Sequence, residues 1–318
     1  MMNVMLAMPI AHYLAQSSQP SVSVLSERAV TKIISDAVYG QECARRVERV
    51  DVIRTASIVA DGTAIFLLDG QFVMFLSSDE YRDAADQQRS AMVSMKKALG
   101  DELGEHILPV VAAGLLCEKS FLVLPICKPL MAGRIGRRLQ RPRITRQILP
   151  WLRALAMRAE GPEEDSQFAP SLQALAQMDD LRDDIRQDAK RLQDAIETGA
   201  LKVRHSPMHG DLWRNNIMER DGRLVVIDWA GSARQGYAMY DLLRFHQSFG
   251  LSDKRLGAEM NWYIKTLGSR DAVSAHLLGA LGHYAIRMGE FPRDRFLILA
   301  ADCYSALQSG LDRSTALE

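Results

Sequence analysis

The sequence predicts an α+β fold of two lobes, a small β-rich lobe at residues 1–126 and a larger, mainly helical lobe at residues 127–318. Turn signals and β-forming residues are concentrated in the first region, and apolar residues recur at helical spacing through most of the second. A strand-to-helix crossover near 126–130 separates the two. The length suits such a plan, and ligands favour the clefts between domains.

Asp-Gly pairs mark the turns of the small lobe. Asp61-Gly62 and Asp69-Gly70 each lie between β-forming segments, which is the strongest short-range signal for a hairpin. A polar turn at 117–120 separates two further apolar segments. We therefore expect a five-stranded antiparallel sheet. Its strands are predicted at about 50–60, 63–68, 71–76, 107–116 and 121–126.

One helix is inserted into this sheet. Ser77 and Glu80 have the spacing of a capping box, and apolar residues follow at helical spacing until Gly100 ends the run.

The large lobe shows longer helical patterns. Pro170 and Ser171 begin an apolar stripe that continues to Ile196, and Gly199 ends it. The chain is again helical in character from about Leu242 onward. No repeat or low-complexity tract interrupts it.

Composition excludes several classes of protein. Hydrophobic residues make up 47% of the chain and charged residues 25%, as in an ordinary globular protein, and 39 basic residues balance 39 acidic ones. The overall charge therefore gives no sign of a nucleic-acid partner. None of the four cysteines lies in a C-x-x-C pair, so neither a disulfide scaffold nor a thiolate zinc site is expected. The N-terminus lacks a basic leader and no apolar run reaches about 18 residues, so we expect a cytoplasmic protein with no membrane partner.

The residues that carry chemistry follow one another between 209 and 229. Asp211 and Asn216 lie in a loop, and Asp228 ends an apolar strand beyond the Asp221-Gly222 turn signal. Antiparallel pairing across that turn is expected to bring Asn216 and Asp228 together, with Asp211 nearby. Phosphoryl transfer needs such a trio: one carboxylate orients the attacking hydroxyl and accepts its proton, and carboxylate and amide oxygens hold Mg²⁺.

These motifs resemble those of the aminoglycoside phosphotransferase and choline kinase family. His209-Gly210-Asp211 with Asn216 matches the family's H-G-D-x4-N, Ile227-Asp228-Trp229 matches its I-D-W/F/P, and Tyr240-Asp241-Leu242 matches its Y-D-L. The resemblance implies a protein-kinase-like fold that uses ATP (or GTP) and Mg²⁺. The partner it implies is a small-molecule hydroxyl acceptor: an aminoglycoside, another sugar or glycoside, or an amino alcohol.

The resemblance also implies roles for individual residues. Asp211 is the catalytic base, His209 orients the loop, Asn216 and Asp228 hold the metal and with it the nucleotide, and Asp241 braces the loop. Arg214 stabilises the transferred phosphate or is a surface charge, and the residues alone leave this open. His205 and His209 have helical spacing for a metal pair, but Pro207 and Gly210 indicate a loop, which disfavours zinc.

One part of the kinase-like pattern is missing. The third strand, at about 72–76, contains no Lys to pair with nucleotide phosphates, and the first hairpin turn is not a Gly-rich loop. Arg54, Lys96 and Lys97 are candidates to supply the charge, although solvated surface charges are the commoner case. A non-catalytic pseudokinase that binds a ligand or partner is therefore the alternative to an active phosphotransferase.

A basic stretch follows the crossover, at the start of the helical lobe. No acidic residue interrupts its six arginines. They form either a solvated face or a surface for an anionic substrate or membrane. They are Arg134, Arg137, Arg138, Arg141, Arg143 and Arg146. The identity of the acceptor and the oligomeric state stay open at this point.

Overall fold

The computed structural model describes residues 27–41, 45–54, 63–158, 167–287 and 292–315 of the chain. Two compact units are present. The first comprises residues up to 93 together with 107–128 and 220–225, and the second comprises 94–106, 129–219 and 226–318. The family resemblance further implies that residues 1–126 bind the nucleotide and that residues 127–318 carry catalysis and bind the substrate, and this assignment stays a prediction.

A five-stranded antiparallel sheet forms the first unit, as predicted, with the strand order β1-β2-β3-β5-β4. Its fourth strand is shorter than predicted because Pro109 has no N–H to give to a ladder. The Asp61-Gly62 turn lies outside the described residues. The strands are β1 (Val50–Arg54), β2 (Thr63–Leu68), β3 (Phe72–Ser77), β4 (Ala112–Leu116) and β5 (Lys119–Pro125).

Two hairpin turns of this sheet use left-handed backbone. Asp69 and Gly70 have φ values of 51° and 65°, and Cys117 and Glu118 have values of 51° and 63°. Positive φ at both central residues is the signature of the type I′ turn, whose twist matches that of the strands it joins. The turn predicted at 117–120 is therefore tighter than expected, and β5 already begins at Lys119.

Among the described residues, two helices accompany the sheet, where the sequence predicted one. Helix α1 (Glu27–Tyr39) was missed, and its Ile34 packs into the core cluster on one sheet face with residues such as Phe66, Met74 and Val123. This helix completes a core that the sheet could not bury alone.

Helix α2 (Ala84–Gly104) begins later than its capping-box pattern predicted. Ser77 Oγ accepts a hydrogen bond from the N–H of Ala85 at 2.9 Å, and Ser120 Oγ accepts one from the N–H of Asp86 at 3.1 Å. The cap therefore comes from hydroxyls at the ends of strands, and the capping box was wrong. Gly100, with φ 72° and ψ −173°, kinks the helix and does not end it.

Helices build most of the second unit. The helix predicted from 171 to 198 is in fact two helices separated by a turn at 177–182, since Met178 and Leu181 turn inward and the acidic residues Asp183 and Asp184 begin a new helix. Helix α8 is buried along most of its length and packs against α4 and α6. The helices are α3 (Gly133–Met157), α4 (Phe168–Ala176), α5 (Asp183–Glu197), α6 (Ala238–Phe249), α7 (Asp253–Leu267), α8 (Arg270–Ile286) and α9 (Arg293–Thr315).

Short strands hold the segment that carries the motifs. β7 pairs with β10, and β8 pairs with β9 through a turn at Asp221 and Gly222, whose φ values are 49° and 78°. The predicted Asp221-Gly222 hairpin is thus confirmed. These strands are β6 (Lys128–Pro129), β7 (Ser206–Met208), β8 (Ile217–Arg220), β9 (Arg223–Val226) and β10 (Ala233–Gly236). Across the described ranges, no helix combines the length and hydropathy needed to cross a bilayer.

Candidate active site

The loop between β7 and β8 contains the motif residues, and one short 3-10 helix, Arg214–Asn216, leads it into β8. The backbone of the loop is held from below by Asp241, in the first turn of α6. Asp241 accepts hydrogen bonds from the N–H groups of His209 at 2.6 Å and Gly210 at 2.9 Å. The brace implied by the Y-D-L resemblance is therefore present as geometry.

Burial of Asp241 has an electrostatic consequence. The side chain is almost fully inaccessible, and this desolvation raises its pKa to about 6, although the backbone N–H donors act in the opposite direction. The carboxylate of Asp241 has lost its hydrating water, and the backbone N–H groups of the loop replace that water as hydrogen-bond donors. These hydrogen bonds fix the loop conformation.

His209 is a neutral, fully buried ring held at both nitrogens. Nε2 lies 3.0 Å from the carbonyl oxygen of Ile227, and Nδ1 accepts the N–H of Asp211 at 3.2 Å. These partners assign the proton to Nε2. Burial lowers the pKa of His209 to about 4, so at neutral pH the ring positions the loop without carrying charge.

Gly210 sits where no other residue fits. Its φ is 89°, and a Cβ at this position would lie 2.3 Å from the carbonyl oxygen of Gly231 and from the hydroxyl of Tyr284. That hydroxyl donates to the carbonyl oxygen of Gly210 at 3.0 Å. The loop is therefore clamped between α8 and the segment after β9.

Asp211 presents its carboxylate at the loop surface. One oxygen accepts from Nδ2 of Asn216 at 3.0 Å, and the other lies 3.3 Å from the guanidinium of Arg244. The side chain is 44% exposed. Desolvation raises its pKa, and Arg244 opposes that rise. The result is a carboxylate oriented by two neighbours and still open on one side.

The amide of Asn216 is oriented by the same loop. Its Nδ2 also donates to the carbonyl oxygen of Asp211 at 2.9 Å, so the amide nitrogen is committed to the loop and Oδ1 is the acceptor that remains. The backbone carbonyl of Asn216 accepts from the N–H of Ile227 at 2.9 Å. Pairing across the hairpin thus brings Asn216 beside the residue that precedes Asp228.

Asp228 is exposed and has a left-handed backbone, with φ 64°. The next residue, Trp229, is buried against His209 and donates from Nε1 to the carbonyl oxygen of Val226 at 2.9 Å. The turn after β9 therefore sends the indole into the core and the carboxylate outward. A non-glycine residue in this region of φ/ψ is uncommon, and such strain clusters at functional sites.

Arg214 is engaged by its own unit. Its guanidinium donates to the carbonyl oxygen of Met131 and lies 5.7 Å from the ring centre of Phe249. Burial and the neighbouring Arg137 lower its pKa. These contacts account for the side chain structurally, so its predicted role at the phosphate stays a prediction.

The histidines do not form a metal pair. Both nitrogens of His209 are hydrogen-bonded, and His205 uses Nδ1 toward the carbonyl oxygen of Gly236 and Nε2 toward the N–H of Gln167, each at 3.1 Å. Within the described ranges, no group of three His, Cys, Asp or Glu side chains could hold a metal ion. Asn216 and Asp228 offer hard oxygen atoms, which fit Mg²⁺.

A cavity of about 310 Å³ opens beside Asp211 within the second unit. Its walls include Tyr240, Tyr284 and Phe296, which supply aromatic surface, and two arginines, Arg244 and Arg287. Its size is at the lower end of the range for small-molecule sites.

Strand β3 carries no basic residue. Met74 is buried in the sheet core and Phe75 is half-buried, so the expected position of the Lys is apolar. Of the candidates for its replacement, Lys96 and Lys97 are exposed on α2, and Arg54 donates to the hydroxyl of Thr63 at 2.9 Å.

A buried lysine that the sequence analysis did not single out lies at the start of β5. Lys119 Nζ is 2.9 Å from a carboxylate oxygen of Asp79, and its side chain is only 3% exposed. An amine already paired in this way braces the end of the sheet.

The basic stretch is the N-terminal part of α3. Arg134, Arg137 and Arg138 are exposed there, and Arg143 pairs with Glu219 at 2.9 Å. Neither of the two predicted interpretations, a solvated face or an anion-binding surface, is decided by these contacts.

Several residues of the site carried weak sequence signals. Arg244 follows Asp241 by three residues, a helical spacing that could have placed both side chains toward the loop. Tyr284, Arg287 and Phe296 come from distant helices, and nothing in the sequence connects them to Asp211.

The antiparallel sheet, the helical unit and the braced H-G-D loop define a kinase-like fold. The chain matches the family described as the phosphotransferase enzyme family (APH) over residues 79–274, more than half of its length. It therefore belongs to this phosphotransferase family, as the motif resemblance implied. No curated protein matches the chain in sequence.

Solved structures share the fold at low sequence identity. A complex of an APH(2") enzyme with GDP and kanamycin is 12% identical with a TM-score of 0.51, covering 87% of this chain and 98% of that one. An APH(4)-Ia variant with AMP-PNP and hygromycin B is 13% identical with a TM-score of 0.52, covering 89% and 99%. A Thermobifida fusca protein assigned as a fructosamine-3-kinase is 16% identical with a TM-score of 0.52, covering 88% and 99%.

Proposed function

We propose that this protein transfers the γ-phosphoryl group of a nucleoside triphosphate to a hydroxyl group of a small molecule. The observation that carries the proposal is the state of Asp211. Its carboxylate is oriented by Asn216 and Arg244, lies on a loop braced by Asp241, and borders a cavity of small-molecule size.

Asp211 acts in this proposal as the base that orients the acceptor hydroxyl and takes its proton. Desolvation raises its pKa and so strengthens it as a proton acceptor, while the positive charge of Arg244 opposes that rise and favours the ionised carboxylate. His209 and Asp241 position the loop and do not exchange protons.

The nucleotide is ATP or GTP, and family neighbours solved with GDP and AMP-PNP support either. Asn216 and Asp228 would hold Mg²⁺, because Oδ1 of the amide and the exposed carboxylate are hard oxygen donors. A Mg²⁺ ion held there would supply positive charge to offset that of the nucleotide phosphates. Arg214 is available to this end of the site only if it leaves the carbonyl of Met131.

An aminoglycoside, another sugar or glycoside, and an amino alcohol are the acceptors that the family suggests. Neighbours in complex with kanamycin and hygromycin B support the first of these.

A pseudokinase is the second candidate function. It is favoured by the apolar third strand, where Met74 and Phe75 occupy the place of the phosphate-binding Lys. Such a protein would bind a ligand or partner and transfer no phosphate.

The test is a transfer assay with γ-labelled ATP or GTP, Mg²⁺ and a broad panel of hydroxyl compounds. The matched variant is Asp211→Asn, which keeps the size of the side chain. We expect it to lower turnover roughly a hundredfold to ten-thousandfold, the range for loss of a general base.

Melting temperature and nucleotide affinity are measured on the same preparation and should not change. Turnover that survives in Asp211→Asn would place the base elsewhere. Absence of both transfer and nucleotide-induced stabilisation in the wild type would favour the pseudokinase.

A further inference from the structure

The cavity beside Asp211 is lined by more basic than acidic side chains. Of its described lining residues, Asp211 alone carries a carboxyl group, whereas Arg244 and Arg287 are both cationic. Arg244 compensates Asp211 directly, at 3.3 Å. The lining therefore has one positive charge in excess.

The tyrosines do not alter this balance. Burial raises the pKa of both Tyr240 and Tyr284 above the ordinary value of a phenol. Both rings are therefore neutral at physiological pH and contribute aromatic surface and hydroxyl groups.

Arg244 has hydrogen-bonding capacity left over. Its two contacts, to Asp211 and to Oε1 of Gln247, are each 3.3 Å long, beyond the usual range of 2.7–2.9 Å for a charge-assisted bond. Its Nε is buried and has no hydrogen-bond partner among the described residues. A half-buried guanidinium with loose partners is suited to receive a further oxygen anion.

Arg287 supplies the second cation. Its guanidinium lies against the ring of His283, with one nitrogen 2.5 Å and 2.8 Å from the two ring nitrogens, and the residue is exposed. Burial and this guanidinium lower the pKa of His283 to about 4, so the ring is neutral. No carboxylate of the described chain forms an ion pair with Arg287.

This lining is poorly suited to a polycation. Aminoglycosides carry several protonated amino groups, and a desolvated site must pair each buried charge to bind them well. In this lining the carboxylate of Asp211 is already paired with Arg244, and Arg287 adds a second positive charge.

We propose that the acceptor carries an anionic group, a carboxylate or a phosphate, which Arg244 and Arg287 bind while its hydroxyl lies at Asp211. The proposal rests on the phosphotransferase function proposed above and narrows its substrate class. The remainder of the acceptor packs on Tyr240, Tyr284 and Phe296. The volume of about 310 Å³ limits the acceptor to a small metabolite.

The test uses hydroxyl compounds in matched sets that differ only in charge. One set compares short hydroxy acids with their primary amides and with the corresponding amino alcohols. A second set compares sugar phosphates with the parent sugars, which separates phosphate from carboxylate as the recognised group. Rates of transfer from labelled ATP with Mg²⁺, and calorimetric binding in the presence of a non-hydrolysable nucleotide, are measured for each.

We expect the anionic member of at least one set to exceed its neutral counterpart about tenfold to hundredfold in kcat/KM, the range of a charge-assisted hydrogen bond. Arg287→Gln should remove most of that preference through KM for the anionic acceptor. Arg295→Gln, which changes an exposed arginine of α9 outside the cavity lining, should leave the preference intact.

Three results would overturn the inference. The amino alcohols or aminoglycosides could be preferred, Arg287→Gln could leave the charge preference unchanged, or no anionic probe could bind or react in a protein that binds nucleotide. In the first two cases phosphate transfer still occurs, so the proposed function stands. Loss of nucleotide binding and of all transfer in the wild type would instead count against the proposed function itself.

Discussion

The loop from His209 to Asn216 and the strand β3 are the two places where a kinase-like protein presents charged groups to a nucleotide and its acceptor. The loop keeps every polar group of the pattern, and each is oriented by contacts of 2.6–3.3 Å. Strand β3 has Met74 and Phe75 where the kinase-like pattern has a Lys. The two regions therefore differ: the loop has the polar residues of the motif, whereas the strand has apolar side chains in place of the Lys.

The difference also shows how each region is stabilised. β3 is held by burial of apolar side chains in the sheet core, and such a strand tolerates loss of a charge. The loop is held by Asp241, a buried carboxylate whose desolvation is offset by backbone donors.

The largest effect should follow Asp228→Asn. Asparagine tolerates the left-handed backbone at this position, with φ 64°, and removes only the charge. We expect turnover to fall about a thousandfold, because a metal ligand stabilises the transition state by several kcal/mol.

Initial rates across a Mg²⁺ titration measure the effect of Asp228→Asn, and the melting temperature should stay within about a degree of the wild type. Wild-type turnover in the variant would show that the carboxylate of Asp228 is dispensable, as a basic residue on β3 already is in this chain.

Gly210→Ala tests whether the loop is fixed by shape. The added methyl group would lie 2.3 Å from the carbonyl oxygen of Gly231 and from the hydroxyl of Tyr284, at a φ of 89°. Overpacking and backbone strain together should destabilise the fold by about 2–4 kcal/mol and lower turnover with it.

Gly222→Ala is the matched control, because its φ is 78° but no atom lies within 4 Å of the added carbon. Backbone strain alone should lower its stability, by about 1–2 kcal/mol, and turnover should be retained. Equal losses in urea unfolding for the two variants would show that close packing around Gly210 contributes nothing.

Acid should lower the stability of the second unit through its buried histidines, His209 and His276. Burial lowers the pKa of His209 to about 4 and that of His276 to about 3, below the ordinary value of 6.5. Between pH 6.5 and these values the unfolded chain binds more protons than the native one, so stability falls as the pH drops. Asp241, with its pKa raised to about 6, has the opposite sign and offsets part of this loss.

The expected loss between pH 7 and pH 4.5 is a few kcal/mol, measured by urea unfolding at each pH. His276→Asn should flatten the pH profile of stability, because the asparagine side chain does not titrate. The fold should tolerate the change, since the amide oxygen can still accept the hydrogen bond from the N–H of Ala238 that Nδ1 now accepts at 3.0 Å. A stability that rises on acidification would contradict the assignment of neutral histidines.

The smallest effect is expected at Lys119, the buried basic residue of the sheet. Its Nζ is already paired with Asp79 at 2.9 Å, so Lys119→Met should change the KM for nucleotide less than about threefold and the stability by about 1 kcal/mol. Asp79 is 40% exposed and can be rehydrated.

A rise of tenfold or more in the nucleotide KM of Lys119→Met would identify Lys119 as the residue that supplies the positive charge missing from β3. The same assay on Arg54→Gln then separates the two candidates on the sheet.

The sequence alone determined much of this protein, because its signals are local. The turns at Asp69-Gly70 and Asp221-Gly222 depend on residues that tolerate positive φ, and so fix two hairpins. The spacing along one loop and hairpin predicted that Asn216 and Asp228 lie together, and the observed backbone hydrogen bond joins Asn216 to Ile227, the residue before Asp228. The five-stranded sheet followed from the same kind of pattern, whereas helix α1 and the break between α4 and α5 did not.

Only the tertiary structure decided what depends on residues far apart in the chain. Ser77 and Ser120 cap α2 across the sheet, and this replaced the capping box that local spacing had suggested. Arg244, Tyr284 and Arg287 reach the cavity beside Asp211 from helices whose sequence spacing carries no record of that approach. Packing of α6, α8 and α9 sets the charge of this cavity, because side chains meet there through long-range contacts that no local pattern encodes.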